Sequence, residues 1–396
     1  MADQGPTSEL LRKLIAEFGT PRCFTSSYQF AKGPLEEAPP FEPLDALEIN
    51  HDVLSDKALA ALEAIEEVVK DSPAEWMDFR WKLSAFLHLQ DILDAPLYEA
   101  KELKIFFEQY YFYYESRTLL AESFLAVLNG LYTASDALLR PFLEFSLLQN
   151  YYYRVSRDSR DYAAFEKFLG DKQVPSWNTV MKKALPKDDF CRPIRFRMSS
   201  HLAALSQSVL HVYHPEDSPQ QYRRQPHGHS IEGLFFWHKI SLIVDAALWV
   251  YYVNFPMVFY PTDVLRKFGF NGPVGVVADP QTAHFVRKSL SETDYEAFKS
   301  YNAAECAPTV QWVQSRPDLS DDAIRSSWSH PEEDHCPPDL QHAFGLHTAR
   351  FRALRLAMAF HAAERLQDVS DEFLGRVSTL AGWKEFARWE RHRGSG

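Results

Sequence analysis

The sequence is poor in cysteine and lacks the common loops of nucleotide and hydrolase enzymes. Its four cysteines, Cys23, Cys191, Cys306 and Cys336, are far apart and form no C-x-x-C pair. Such spacing fits a reducing compartment better than a disulfide framework, so we expect a cytoplasmic protein. The chain also has no Walker loop and no G-x-G-x-x-G, H-E-x-x-H or G-x-S-x-G sequence. These absences exclude the usual nucleotide-binding and hydrolase signatures.

The sequence also lacks an apolar run that is both long and uninterrupted. Residues 234–260 have the length of a membrane-spanning helix. Ionisable and helix-breaking residues interrupt that stretch: His238, Lys239, Asp245, Asn254 and Pro256. Because ionisable groups are costly at bilayer depth, we predict no membrane association. The segment is instead expected to be an internal helix of a bundle, buried on nearly all sides and kinked near Pro256.

Positive charge is the minority charge of this chain. Lys and Arg number 42 against 54 Asp and Glu, which gives a net charge of −12. Such a surface disfavours non-specific binding to DNA or anionic lipid, although it leaves room for a local basic groove. Hydrophobic residues make up 46% of the chain and aromatic residues 14%. This composition predicts a globular protein rather than a disordered one.

Helical periodicity recurs along most of the chain. Ser55 is suited to cap a helix, and the apolar residues that follow it fall at helical spacing: Leu59, Leu62, Ile65 and Val69. From residue 97 to about 155 the helical pattern is almost continuous, with Gly130 and Pro141 as the expected interruptions. Alternating strand and helix patterns are absent, which argues against an α/β sheet. We predict an all-α helical bundle with a long central helix, additional C-terminal helices and at most a short β element near 270–280.

The same patterns predict three parts. Residues 1–50 form an irregular leader that is rich in proline. Residues 51–270 form the helical bundle, and residues 271–396 form a C-terminal helical extension.

One charged pair is embedded in an apolar part of the predicted long helix. Arg140 and Glu144 are four residues apart in "ALLRPFLEF", so they share a helix face. Charges in such apolar surroundings are paired or functional. The sequence leaves two interpretations open, a structural ion pair and a functional site.

A second cluster of charges lies near the middle of the chain. In "RFRMSSHLAALSQSVLHVYH", Arg197 and His201 share a helix face because they are four residues apart. The stretch that leads into this helix forms a basic island in an acidic chain, with six cationic residues against Asp188 and Asp189: Lys182, Lys183, Lys187, Arg192, Arg195 and Arg197. A phosphate backbone would be attracted there, and a histidine beside an arginine can perform acid–base chemistry on it.

These two segments together resemble bacterial HEPN-like proteins (higher eukaryote and prokaryote nucleotide-binding superfamily). The resemblance covers about residues 97–262 and rests on "LLRPFLEF" and the later "RFRMSSH … LSQSVLH" helix. Members of that family are helical bundles that are often dimeric. Active members are metal-independent ribonucleases of prokaryotic defence and toxin–antitoxin systems. Their motif is an arginine followed four to six residues later by a histidine, a spacing that Arg195 and His201 match.

The resemblance implies roles for individual residues. Arg195 and His201 would take the catalytic positions, and Arg140 and Glu144 would correspond to the charged pair of the first helix. Either His201 or His211 is the family's histidine. The other residues expected to bind an anionic ligand are Arg197, Lys182 and Lys183. In this mechanism the histidine withdraws a proton from a ribose 2′-OH, and neither a metal nor another cofactor is required.

Two functions follow from the resemblance. One is a metal-independent ribonuclease that acts as a homodimer on RNA. The alternative is a non-catalytic helical module that binds a nucleotide, an RNA end or a partner protein. Histidines and a cysteine on two loops lack the tight spacing of a zinc site, so we predict no metal there: His227, His229, His330, His335 and Cys336.

Overall fold

The fold is a bundle of helices. The computed structural model describes residues 39–89, 93, 111–159, 165, 167–168, 174–210, 234–263, 266–267, 277–278 and 280–323. Its α-helices are α1 (Pro43–Ala46), α2 (Asp56–Val69), α3 (Pro73–His88), α4 (Tyr111–Leu128), α5 (Tyr132–Ser159), α6 (Trp177–Ala184), α7 (Cys191–Leu210), α8 (Phe236–Asn254), α9 (Pro280–Lys288) and α10 (Glu292–Ser315). Short 3-10 helices cover His51–Val53 and Pro256–Phe259. In the part of the chain that the structure describes there is no strand, and Val277 forms only an isolated bridge. The all-α prediction is confirmed.

Serine side chains define where several helices begin. The Ser55 Oγ accepts a hydrogen bond from the backbone amide of Ala58 at 3.2 Å, as its position before α2 predicts. Ser291 caps α10 in the same way, with the amide of Asp294 as donor at 3.1 Å. Each cap satisfies one of the amides that the first turn of a helix leaves without a partner, so these residues fix the helix starts.

The long helical stretch is divided into the hairpin of α4 and α5. Gly130, with a φ of 73°, occupies the left-handed conformation that closes α4. The two helices then pack along their length, and the Oγ atoms of Ser123 and Ser135 hydrogen-bond across them at 2.7 Å. The interruption predicted at Gly130 is therefore confirmed.

The interruption predicted at Pro141 is wrong, because α5 continues through this residue to Ser159. Proline cannot donate to the carbonyl one turn earlier, which here belongs to Ala137. Ala137 is exposed, so water can bind that carbonyl and the helix tolerates the proline.

Helix α8 is the centre of the bundle. Nearly all of its residues are buried, and it packs against α3, α5 and α7. The prediction of an internal helix is confirmed, but the predicted kink is not. The helix ends at Asn254, and Pro256 begins the separate 3-10 helix Pro256–Phe259. Among the helices that the structure describes, none is long and apolar enough to cross a membrane.

One hydrophobic core includes residues from all three predicted parts. Residues 39–50 of the predicted leader contain α1, which packs on α3. Beyond residue 270, Phe285 of α9 and Phe298 of α10 belong to the same buried cluster as the bundle helices. The domain boundaries drawn from the sequence stay predictions.

Candidate functional site

Helix α7 carries the predicted catalytic residues and lies between α5 and α8. Its buried face consists of Cys191, Ile194, Met198 and Leu205. These residues recur at helical spacing and pack α7 against both neighbours. Charged residues that flank this stripe therefore point towards different neighbouring elements.

Arg195 binds the backbone of the segment between α6 and α7. Its Nη1 donates to the carbonyl of Pro186, and longer contacts of 3.5 Å reach the carbonyls of Leu185 and Asp188. Arginine has no acceptor capacity, and here its donors are directed to main-chain oxygens. In this arrangement the guanidinium supports the entry of the chain into α7.

The start of α7 is also stabilised by a carboxylate, Asp188, which caps the helix. Asp188 accepts a hydrogen bond from the Cys191 amide at 2.7 Å and another from the Tyr301 hydroxyl of α10 at 2.7 Å. Burial tends to raise the pKa of Asp188, but these hydrogen bonds to the ionised carboxylate lower it overall. Burial also raises the pKa of the neighbouring Cys191 thiol to about 11, so this cysteine stays protonated. The sequence analysis did not identify Asp188 or Tyr301 as partners.

Arg197 lies on the opposite flank of α7 and binds α8. Its Nη1 is 2.5 Å from the Asp245 Oδ2, and its guanidinium carbon is 4.1 Å from the centre of the Trp249 ring. Lys82 of α3 approaches the other oxygen of Asp245 at 3.6 Å. Asp245 is thus shared by two cations from two helices.

The buried environment of Asp245 disfavours its ionised form. Its side chain is only 15% exposed, and Lys82 is 12% exposed. Burial raises the pKa of Asp245, and the attraction of Lys82 and Arg197 does not fully offset this effect. The sequence signal for this site was an aspartate inside the apolar segment 234–260, which requires cationic partners but does not identify them.

His201 lies one turn after Arg197 on the half-buried side of α7. Burial lowers the pKa of His201, and the positive charge of Arg197 lowers it further. The imidazole is therefore neutral at neutral pH and has a nitrogen that can accept a proton. This protonation state suits a general base.

The charged pair of α5 is formed as its spacing suggests. The Arg140 Nε donates to the Glu144 Oε1 at 3.1 Å, with side-chain exposures of 36% and 21%. Two contacts, one near each end of α5, show how α5 is aligned with α8 and so where this pair lies along the bundle. Lys239 pairs with Asp136 near one end of α5, and Arg154 bonds Asn254 near the other.

Helices α5 and α8 are consequently parallel, and Glu144 and Asp245 lie at a similar height in the bundle. Helix α7 is antiparallel to α8, because Arg197 meets Asp245 while Asn254 bonds the Ala184 carbonyl that precedes α7. The structure therefore brings the Arg140–Glu144 pair and the Arg197–His201 pair to the same level of two packed helices. No hydrogen bond or ion pair joins the two pairs among the residues described, and Arg195 binds the segment before α7 instead.

The predicted basic island is present as an exposed segment. Lys182 and Lys183 are in the last turn of α6, and Lys182, Lys187 and Arg192 are exposed. Arg192 pairs with Asp189 at the surface. His211 lies outside the described residues, as do the loop histidines and Cys336 considered for zinc. No group of side chains that could hold a metal ion is present in the described ranges.

A cavity that no sequence pattern indicates lies beside Arg197 of α7. It has a volume of about 400 Å³ and lies between α7, α8 and α10.

Comparison of the chain with protein-family models, curated proteins and solved structures finds no match. Any function must therefore be argued from the geometry of the site.

Proposed function

We propose that this protein is a HEPN-like helical module that binds RNA or a nucleotide through its basic segment without cleaving it. The segment comprises Lys182, Lys183, Lys187 and Arg192. We further propose that it works in the cytoplasm as a homodimer. The observation that carries the proposal is the exposure of three cationic side chains of this segment, Lys182, Lys187 and Arg192, in a chain whose net charge is −12.

The environment of the two arginines favours binding over catalysis. A ribonuclease needs an arginine whose donors can reach the phosphate as charge develops in the transition state. Arg195 directs its donors to main-chain carbonyls, and Arg197 is paired with Asp245. Glu144 is likewise paired with Arg140. By contrast, Lys182 and Lys187 are exposed lysines that can reach a phosphate without breaking an internal contact.

The exposed lysines suit a phosphate backbone in a second respect. Binding of a polyanion to such side chains releases counterions from the nucleic acid, and this release favours association at low salt. The acidic remainder of the surface repels nucleic acid, so binding is confined to this segment. This arrangement predicts a defined site with a strong salt dependence.

The test is a titration of a fluorescently labelled single-stranded RNA with the full chain, followed by anisotropy at several salt concentrations. The variant Lys182→Glu/Lys187→Glu should weaken binding at least about tenfold and reduce the slope of log K against log salt by about 1.4, because two phosphate contacts are lost. The matched control is Lys57→Glu/Lys70→Glu, which reverses two exposed lysines, one in the first turn of α2 and one directly after that helix. Equal affinities for the two double variants would contradict the proposal.

A second candidate function, metal-independent RNA cleavage, is favoured by one observation. His201 is neutral and adjoins Arg197, so it could withdraw a proton from a ribose 2′-OH beside a phosphate. Incubation of RNA with the protein in EDTA tests this function. Cleavage that disappears in His201→Ala but persists in His51→Ala, a change at an exposed histidine, would replace the binding proposal with catalysis.

A further inference from the structure

We propose that the cavity between α7, α8 and α10 binds a small organic cation that carries an aromatic ring. This site adjoins the basic segment, since Arg192 pairs with Asp189 at its edge, but the cavity itself opens between α7, α8 and α10. Six of the residues that line it carry the argument: Asp189, Phe190, Arg197, Trp249, Asp294 and Phe298. Its volume of about 400 Å³ falls within the range that small-molecule sites occupy, roughly 300–1,000 Å³.

Aromatic rings form the apolar wall of the cavity and hold one another in place. The Phe298 ring makes T-shaped contacts with two neighbours. Its centre is 5.1 Å from that of Phe190 and 5.3 Å from that of Trp249. Phe190 is in turn stacked on Tyr301 at 4.1 Å. Because the rings hold one another in fixed positions, the wall is preorganised for a ring that packs against it.

The positive charge in the wall is already balanced. Arg197 is paired with Asp245 and lies over the Trp249 ring. It therefore contributes little net charge to the cavity, and an anionic ligand would have to compete with a buried carboxylate for it. This competition disfavours an anion at this site.

The negative charge at the mouth is balanced only in part. Asp294 accepts a hydrogen bond from the Ser291 hydroxyl at 2.6 Å and forms no ion pair with any cation in the part of the chain that the structure describes. Asp189 pairs with Arg192, but both side chains are largely exposed, and such surface pairs are weak. The positive end of the α10 helix dipole amounts to about half a charge, which is less than the charge of Asp294 alone. A cation at the mouth is therefore favoured, with its apolar part against the aromatic wall.

The experiment uses 2-phenylethylammonium as the probe and the full chain as it is purified, with affinity measured by calorimetry. The near-isosteric neutral 2-phenylethanol and the anion phenylacetate serve as comparison ligands. We expect saturable binding of the ammonium compound and at least about tenfold weaker binding of the other two, since each lacks the charge that Asp294 attracts.

Two conservative variants locate the site. Asp294→Asn keeps the acceptor for Ser291 and should weaken ammonium binding about tenfold, and Asp189→Asn should weaken it less. The control Asp71→Asn removes an exposed carboxylate elsewhere and should leave the affinity unchanged. Circular dichroism of each variant checks that α10 is intact. Absence of saturable binding, equal binding of the alcohol, or an unchanged affinity in Asp294→Asn would overturn the proposal, and none of these results depends on RNA binding.

Discussion

Substitution of Asp245 tests how much a buried carboxylate and its two cationic neighbours contribute to the stability of this bundle. It connects three helices, because it accepts from Arg197 of α7 and lies 3.6 Å from Lys82 of α3. Truncation to alanine would leave both cations without this partner. Removal of one member of a buried ion pair costs about 3–5 kcal/mol. Because Lys82 keeps its closer pair with Asp78 at 2.6 Å and Arg197 is 37% exposed, Asp245→Ala should destabilise the fold by about 3 kcal/mol, the lower end of this range.

Replacement by asparagine should be much less costly. Burial raises the pKa of Asp245 despite the two nearby cations, so the folded protein binds the proton more tightly than the unfolded chain does. Relative to the unfolded chain, folding thus favours the protonated form of Asp245, and a neutral amide of the same shape retains an oxygen acceptor. We expect Asp245→Asn to cost less than about 2 kcal/mol, comparable to one weakened charged hydrogen bond.

The same shift sets the sign of the pH dependence. A raised folded pKa contributes stability that is fully present below the ordinary carboxyl value of 3.8 and is lost as the pH rises through the raised value. Relative to Asp245→Asn, the wild-type protein should therefore lose stability as the pH increases across this window. Urea unfolding followed by far-UV circular dichroism at several pH values measures the difference. Equal costs for the alanine and asparagine variants, or a difference that moves in the opposite direction with pH, would refute this account.

Three further predictions concern the backbone around the site. Arg195→Ala should destabilise the protein by about 1.5–3 kcal/mol in urea unfolding, since the carbonyl of Pro186 loses a charged donor; an unaffected midpoint would contradict the supporting role of Arg195. Gly130→Ala should cost about 1–2 kcal/mol, because φ is 73° there, and Gly130→Asn should cost less. Pro141→Ala should raise the stability by about 1–3 kcal/mol, since the amide restores a hydrogen bond to the Ala137 carbonyl; a lower melting temperature would show that the ring packs usefully.

Much of the fold could be predicted because local sequence determines it. The Ser55 cap and the apolar residues that follow it at helical spacing placed α2, and Gly130 located the turn between α4 and α5. The errors have a common cause. Whether Pro141 ends a helix depends on whether water reaches the carbonyl of Ala137, and that depends on how α5 packs. Whether α8 kinks or ends before Pro256 likewise depends on the packing of the 3-10 helix that follows.

The site was harder to predict, because the charged residues of one helix form ion pairs with residues of other helices that are distant in the sequence. The sequence places Arg197 and His201 on one face, and the structure keeps them together. The sequence also shows that Arg195 must point to another side of α7 than Arg197. Residues that are two positions apart on a helix are separated by about 200° around its axis. What the sequence could not show is that Asp245, which interrupts an apolar segment, is the partner of Arg197.

The partner of Arg197 also bears on which function this chain can perform. For Arg197 to bind a phosphate it must leave Asp245, and Lys82, at 3.6 Å, would then be the nearest cation to this buried carboxylate among the described residues. Because its pKa is already raised, the loss of Arg197 would favour its protonation. A phosphate at this position therefore costs an internal ion pair, whereas Lys182 and Lys187 can bind one at the surface without such a cost. This difference in cost is the physical reason for proposing an anionic ligand on the basic segment and a cationic one in the cavity between α7, α8 and α10.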